Sequence, residues 1–310
     1  MSSILRCCAR VLQGKGNLQI ESNIDKFLEL RLHHISTGVS VQRKPFLKWA
    51  GGKYRIIDKI LKELPTGMRF VEPFAGSCAV YLNMAAARAL VCDVNADLIY
   101  LYQHIQREGE DFILYCKNFF TSENNSKERY LEIRSEFNSC TDARKRGALF
   151  LYLNRHSFNG LVRYNSKGVF NVPFGKYKSP YFPLNELRLF YKKTQEVETS
   201  FVCCDFRSTF SKLTKGDVVY CDPPYVPISA TANFTAYAGS EFSIQDQQEL
   251  AKLAESAHSK GISVILSNHD TEITRSLYAT AEVKLFDVQR FISCNGGNRT
   301  TAPEILAIYR

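Results

Sequence analysis

From Phe46 onward, short apolar segments alternate with segments of helical period. That alternation allows little besides an open parallel sheet with helices on both faces. Residues 41–47 lead into a turn at Trp49-Ala50-Gly51-Gly52, and a helix is expected over 53–64, closed by Pro65 and Gly67. Strands are expected at 70–71, 89–92, 201–204, 218–221 and 262–267, with helices opening near Cys78 and over 97–107 and 244–259. Residues 283–288 and 304–309 fit a terminal hairpin flanking 293–300. The fold class is therefore α/β, with a Rossmann-like sheet.

The middle of the chain breaks this rhythm. Helices are expected over 127–138 and 143–155, but residues 157–183 are rich in Asn, Gly, Pro, Ser, Lys and aromatics and show no period. A structureless stretch this long inside a domain is usually functional. The charge sits here too. Between Arg144 and Lys193 there are eleven Lys/Arg against one acid, Glu186, while the whole chain carries a net charge of +9. The remainder is close to neutral. Localised positive charge points to a polyanion more strongly than net charge does. Eleven aromatics share the interval. A merely solvated face has no use for them, whereas a surface that grips phosphates and wedges between bases does.

Other function classes are excluded or weakened. No run of about 18 apolar residues exists, so no membrane span is expected. The ten cysteines include the adjacent pairs Cys7-Cys8 and Cys203-Cys204 but no C-x-x-C, and no His pair has zinc-ligand spacing, so no metal is expected and most are read as small buried apolar residues. Gly51-Gly52-Lys53 lacks the upstream Gly and the following Ser/Thr of a P-loop. Residues 1–20 carry Arg6, Arg10 and Lys15 with no acid before Glu21, as in a transit peptide. A disordered extension or an upstream start codon explains this more simply, so a cytoplasmic, nucleoid-associated protein is expected ahead of an organellar one.

Three strings carry chemistry. Asp222-Pro223-Pro224-Tyr225 follows the strand at 218–221, at the carboxyl end where open α/β sheets bind ligands. An exocyclic amino group on a base is a poor nucleophile, because its lone pair is delocalised into the ring. The Asp222 carboxylate and the Pro223 carbonyl can hold its two N–H groups and stabilise the positive charge that develops during attack. Tyr225 can stack on the base. A Pro-Pro turn after a buried strand is the structural alternative. Glu72-Pro73-Phe74-Ala75-Gly76-Ser77 is a Gly-containing turn at an earlier strand end, and Asp93 ends the following strand, where an acid can bind ribose hydroxyls. His269, in Ser267-Asn268-His269-Asp270, is read as structural rather than as a base.

With these strings in place the chain resembles the Dam family of DNA adenine methyltransferases, from Phe46 to near the C-terminus. The resemblance rests on Phe46-Leu47-Lys48-Trp49-Ala50-Gly51-Gly52-Lys53, Val71-Glu72-Pro73-Phe74, Leu151-Tyr152-Leu153-Asn154-Arg155, Phe158-Asn159-Gly160-Leu161 with Arg163-Tyr164-Asn165, Phe170-Asn171-Val172-Pro173-Phe174-Gly175, and Tyr220-Cys221-Asp222-Pro223-Pro224-Tyr225. Their order is that of the α group of amino-methyltransferases. It implies a class I S-adenosylmethionine-dependent sheet over residues 43–120 and 200–310, a DNA-recognition insert over 121–199, and an N-terminal extension of unknown role over 1–42. The implied cofactor is S-adenosylmethionine and the implied partner is double-stranded DNA at GATC sites, with a monomer as the simplest state. Trp49, Lys53, Phe74, Gly76, Asp93 and Asp222 would contact the cofactor. Asp222, Pro223 and Tyr225 would be catalytic. Arg163 would read a guanine, Leu161 and Pro173 would contact bases, Phe158 would fill the gap left by a flipped adenine, and Lys48, Asn159 and Tyr177 would touch the DNA. Two residues depart from the family pattern. Cys78 stands at the second Gly of Phe-x-Gly-x-Gly, where the methionine part of the cofactor is expected to pass, and Phe158 stands where Tyr is frequent. Cytosine N4 or RNA adenine methylation, an inactive DNA-binding module, and one half of a restriction–modification pair remain alternatives at this level.

Overall fold

The computed structural model describes residues 42–226, 242–289 and 301–310. All but Gln42 of the expected N-terminal extension, and the hairpin connection at 293–300, lie outside these residues. A 3₁₀ turn (Lys53–Ile56) enters α1 (Ile57–Glu63), followed by β1 (Arg69–Glu72), α2 (Ala79–Asn83), β2 (Arg88–Asp93), α3 (Ala96–Glu108) and α4 (Glu110–Lys117). Next come α5 (Lys127–Ser139), α6 (Ala143–His156), α7 (Leu184–Glu196), β3 (Glu198–Cys203), α8 (Phe206–Phe210) and β4 (Asp217–Cys221). The rest are α9 (Ile244–Ser259), β5 (Ser263–His269), α10 (Glu272–Leu277), β6 (Glu282–Gln289) and β7 (Thr301–Tyr309). Residues 42–48 join no sheet, so the segment before the first turn is not a strand.

The seven strands run in the order β3-β2-β1-β4-β5-β7-β6. The first five are parallel, and β7 enters antiparallel to both β5 and β6. The chain reverses its winding between β1 and β4, which creates the crevice where such sheets take ligands. The strands read as unbroken apolar runs because both faces are buried. Period-two alternation then divides their side chains. Phe70, Val91, Val218 and Tyr220 join one core with α1, α3 and α7, while Val71, Cys92, Val219 and Cys221 join the other with α8 and α9. On the first face Tyr102 stacks on Phe190 at 4.9 Å between ring centroids.

The helix ends are set locally. The Asn95 side chain accepts from the N–H groups of Asp97 and Leu98 at the start of α3, and Ser243 and Asp246 form a reciprocal capping box on α9. Gly109 has φ +57 and ends α3, and α4 begins at once.

The aperiodic stretch 157–183 has an internal frame. Isolated antiparallel bridges join Ser157 to Phe174 and Tyr164 to Phe170. Its backbone is held from beneath by one face of α5, where residues four apart line up. Tyr130 Oη and Arg134 Nη1 donate to the Val172 carbonyl at 2.8 and 2.9 Å. The Asn138 amide clasps Phe170, accepting from its N–H at 2.8 Å and donating to its carbonyl at 3.1 Å. Tyr164 Oη donates to Asp97 at 2.6 Å, and Arg146 pairs with the same carboxylate, so the stretch is also tied to α3.

Candidate active site and nucleic-acid interface

Residue 222 is the first after β4, and Glu72 and Asp93 end β1 and β2, so three carboxylates gather at one edge of the sheet. Burial raises the pKa of each above its ordinary range. Glu72 is raised well above, and the Asp222 charge adds to the effect; its Oε2 is buried without a hydrogen-bond partner among the described residues. At Asp222 the shift is opposed by Lys53, whose Nζ lies 2.9 Å from Oδ1. Lys53 is itself 6% exposed, donates to the Gly51 carbonyl at 2.6 Å and lies 4.6 Å from the centroid of the Tyr225 ring. The nearby ammonium favours the carboxylate form, in which Asp222 only accepts hydrogen bonds.

The loop carrying Asp222-Pro223-Pro224-Tyr225 is fixed by groups beneath it. Fully buried Asn268, on β5, accepts from the Val226 N–H at 3.0 Å and donates to Gln247 Oε1 at 3.0 Å and Tyr278 Oη at 3.1 Å. Gln247 Nε2 donates to the Pro224 carbonyl at 2.7 Å. His269 Nδ1 lies 2.7 Å from the Val226 carbonyl and its ring meets Tyr225 edge-on at 4.7 Å. Tyr225 Oη donates to Glu304 of β7 at 3.0 Å, and Glu304 lies opposite His269 in the sheet register. His269 is thus bonded to the loop it supports.

Trp49, Gly76 and Asp93 form a second group. Gly76 has φ +45, and a Cβ there would lie 2.8 Å from Trp49 Nε1, so the indole rests on bare backbone that only glycine provides. Asp93 accepts from the N–H groups of Gly76 and Asn95 at 3.0 and 2.9 Å, with lone pairs left for hydroxyl donors. Leu47, Trp49, Gly52, Tyr54 and Ser77 line an open cleft beside this group. Phe74 packs against the core of α8 and α9 and stacks on Phe206 at 5.6 Å. Cys78 takes the left-handed conformation, φ 58 and ψ 32, that a glycine would adopt without strain. Its side chain is fully buried within the core.

The residues expected to meet DNA lie on the stretch 158–177 and in the turn before Lys53. Lys48 Nζ sits 3.9 Å from the centroid of the Tyr177 ring. Its stem covers Gly160, where a Cβ would lie 2.4 Å from Lys48 Cδ. Burial, and secondarily the Arg155 charge, lower the Lys48 pKa to about 8. Phe158 is half exposed, and its N–H donates to the Pro173 carbonyl at 2.8 Å, which brings two expected DNA contacts together. Asn159 is exposed at φ 54 and Pro173 is exposed, while Leu161 is half-buried against the core. Arg163 is exposed, with Nε donating to Asn171 Oδ1 at 2.8 Å. Sequence reasoning missed Asn154, Gln247, Asn268 and Glu304 as site residues. Their strings were visible, but only tertiary contact gives them a task.

The pattern that defines the D12 class N6 adenine-specific DNA methyltransferases matches residues 49–292. Over 269 residues the chain is 48% identical to the DNA adenine methylase of Vibrio cholerae, covering 86% of this chain and 96% of that protein. It is 47% identical over 271 residues to the DNA adenine methylase of Serratia marcescens, covering 87% and 99%. It is 45% identical over 269 residues to that of Escherichia coli K12, covering 87% and 96%. S-adenosylmethionine is the methyl donor, and the edge described above suits a cationic nucleoside: three carboxylates, one with an oxygen lacking a partner, surround a glycine cradle. The chain belongs to the D12 class of N6 adenine-specific DNA methyltransferases.

Proposed function

We propose that this enzyme methylates N6 of the adenine in GATC within duplex DNA, with the adenine extruded into the pocket beside Asp222 and Tyr225. The observation that carries the reading is the Asp222 loop: a carboxyl acceptor 2.9 Å from Lys53 Nζ, on a backbone held by Asn268 and Gln247. Residues 121–199 act as the recognition module, on a methyltransferase body of 43–120 and 200–310. Arg163 addresses guanine O6 and N7. Lys48, Asn159 and Tyr177 contact the DNA, Leu161 and Pro173 meet base edges, and Phe158 occupies the gap in the stack. Extrusion costs a few kcal/mol. Stacking on Tyr225 and hydrogen bonds from N6 to Asp222 and the Pro223 carbonyl offset it. Those acceptors favour a pyramidal N6, which frees its lone pair from the ring for attack, and stabilise the positive charge that develops on N6. S-adenosylmethionine, when bound, supplies an electrophilic methyl group on a sulfonium. Trp49, Phe74, Gly76 and Asp93 orient it, and Lys53 bridges its site and the base's by holding Asp222.

Transfer of a tritiated methyl group to a GATC duplex and to the same duplex carrying GTTC tests this directly. Label on the first alone is expected, and equal label on both refutes the specificity. Asp222→Ala is expected to abolish turnover while retaining duplex affinity; retained turnover removes Asp222 from the chemistry.

A further inference from the structure

Asn154 lies on α6, 106 residues from Lys48 but only six from Gly160, and is fully buried. Its amide spends its capacity on two loops. Oδ1 accepts from the Lys48 N–H at 2.9 Å, and Nδ2 donates to the Lys48 carbonyl at 2.7 Å. The same Nδ2 donates to the Gly160 carbonyl at 3.1 Å. Lys48 directly precedes Trp49, and the segment continues to Lys53, which pairs with Asp222. Gly160 closes the exposed turn of Phe158 and Asn159. The Lys48 stem packs on Gly160 so closely that a Cβ there would overlap it. A shift of the turn therefore changes the partner set of one buried amide. That amide cannot replace a lost partner with water without cost.

We infer that Asn154 is a positioning residue that couples occupancy of the DNA-facing turn to the set of the cofactor loop, so that duplex and cofactor tighten each other's binding. The inference rests on the site assignments proposed above. By linkage the coupling is reciprocal, and a typical effect is about 5–150-fold in affinity. Shared contact alone is not coupling, so the test must read energy or protection at both ends.

Trp49 is the only tryptophan in the chain, so fluorescence excited selectively at tryptophan, and not at the 16 tyrosines, reports this loop. In the wild type, a GATC duplex without cofactor is expected to change Trp49 fluorescence and to tighten S-adenosylhomocysteine by a factor in that range. In Asn154→Ser both ligands are expected to bind, with the tightening within about twofold of unity and the duplex-induced Trp49 signal lost. A variant that binds both and keeps the wild-type ratio overturns the inference. Amide hydrogen exchange on the wild type needs no variant to fold. Duplex alone should slow exchange at Gly52, which is outside the proposed DNA contacts, and S-adenosylhomocysteine alone should slow it at Gly160 and Leu161. If each ligand protects only its own loop, the coupling is refuted while the sites stand. If S-adenosylhomocysteine leaves 48–53 unprotected, or duplex leaves 158–161 unprotected, the site assignments themselves fail, and the inference with them.

Discussion

Replacing Asn268 by Ala removes the support of the Asp222 loop without touching a group that meets substrate. The substitution leaves the Val226 N–H and Gln247 Oε1 without their partners, in residues that are 5% and 2% exposed. A buried polar group stripped of its hydrogen bond costs about 1–3 kcal/mol. The two groups belong to one network and do not add fully, so the expected loss is about 2–4 kcal/mol. A domain stable by about 5–15 kcal/mol survives this, and the protein should fold. Catalysis should suffer more. Pro224 and Val226 lose their register with β5, and a misplacement near 1 Å at reacting groups costs on the order of 100-fold in rate. Single-turnover methyl transfer at saturating duplex and cofactor reads this directly, urea unfolding reads the stability term, and Trp49 fluorescence reads S-adenosylhomocysteine affinity. The expected pattern is a stability loss in that range, a rate down by about two orders of magnitude, and nearly unchanged affinity. A rate within about threefold of wild type, with the stability loss present, would falsify the positioning role.

Three further outcomes are expected. Arg163→Ala should narrow the difference in kcat/KM between GATC and singly altered sites by about 1–3 kcal/mol, and unchanged discrimination refutes base reading by Arg163. Lys48, with its pKa lowered to about 8 by burial and by Arg155, loses its charge in the free protein as pH rises through that value. DNA favours the charged form, so duplex affinity should weaken over that rise and the salt slope should shrink by about one. Lys48→Met should remove the step, and its persistence in anisotropy titrations at fixed ionic strength would assign the proton elsewhere. Cys78→Gly relieves left-handed strain of about 1–2 kcal/mol. It gives back a similar amount through lost side-chain burial and a freer unfolded chain. Stability and S-adenosylhomocysteine affinity should hardly move, and an affinity gain of about tenfold would mean that the thiol does reach the cofactor.

What the sequence disclosed follows from the range of the forces involved. The Val-Val-Tyr-Cys run of β4 is apolar because both faces are buried, and Asp222 and Asp93 are readable as strand ends because a carboxylate cannot continue such a run. Short or uncapped helices escaped notice. α10 spans six residues, too few to show a period, and α7 begins after Pro183 with no side-chain cap. The stretch 157–183 has no readable period because its order is imposed from outside, by Tyr130, Arg134 and Asn138 on α5. The Asp222-Pro223-Pro224-Tyr225 loop stood out by its composition after β4. Its buttress was not, because Gln247 and Asn268 lie 21 positions apart and meet only in the folded chain.

The placement of β7 bears on when the enzyme becomes competent. Among the described strands it comes latest in chain order, yet it slots between β5 and β6 rather than adding to an edge. It also brings Glu304 to the Tyr225 hydroxyl. Proteins emerge from the ribosome N-terminus first. Throughout synthesis, then, β5 waits without its neighbour and Tyr225 without its Glu304 acceptor, although the segments proposed to face DNA are already translated. A nascent chain would hold much of the surface for gripping DNA before it could methylate it, and the closing strand would turn a binder into an enzyme.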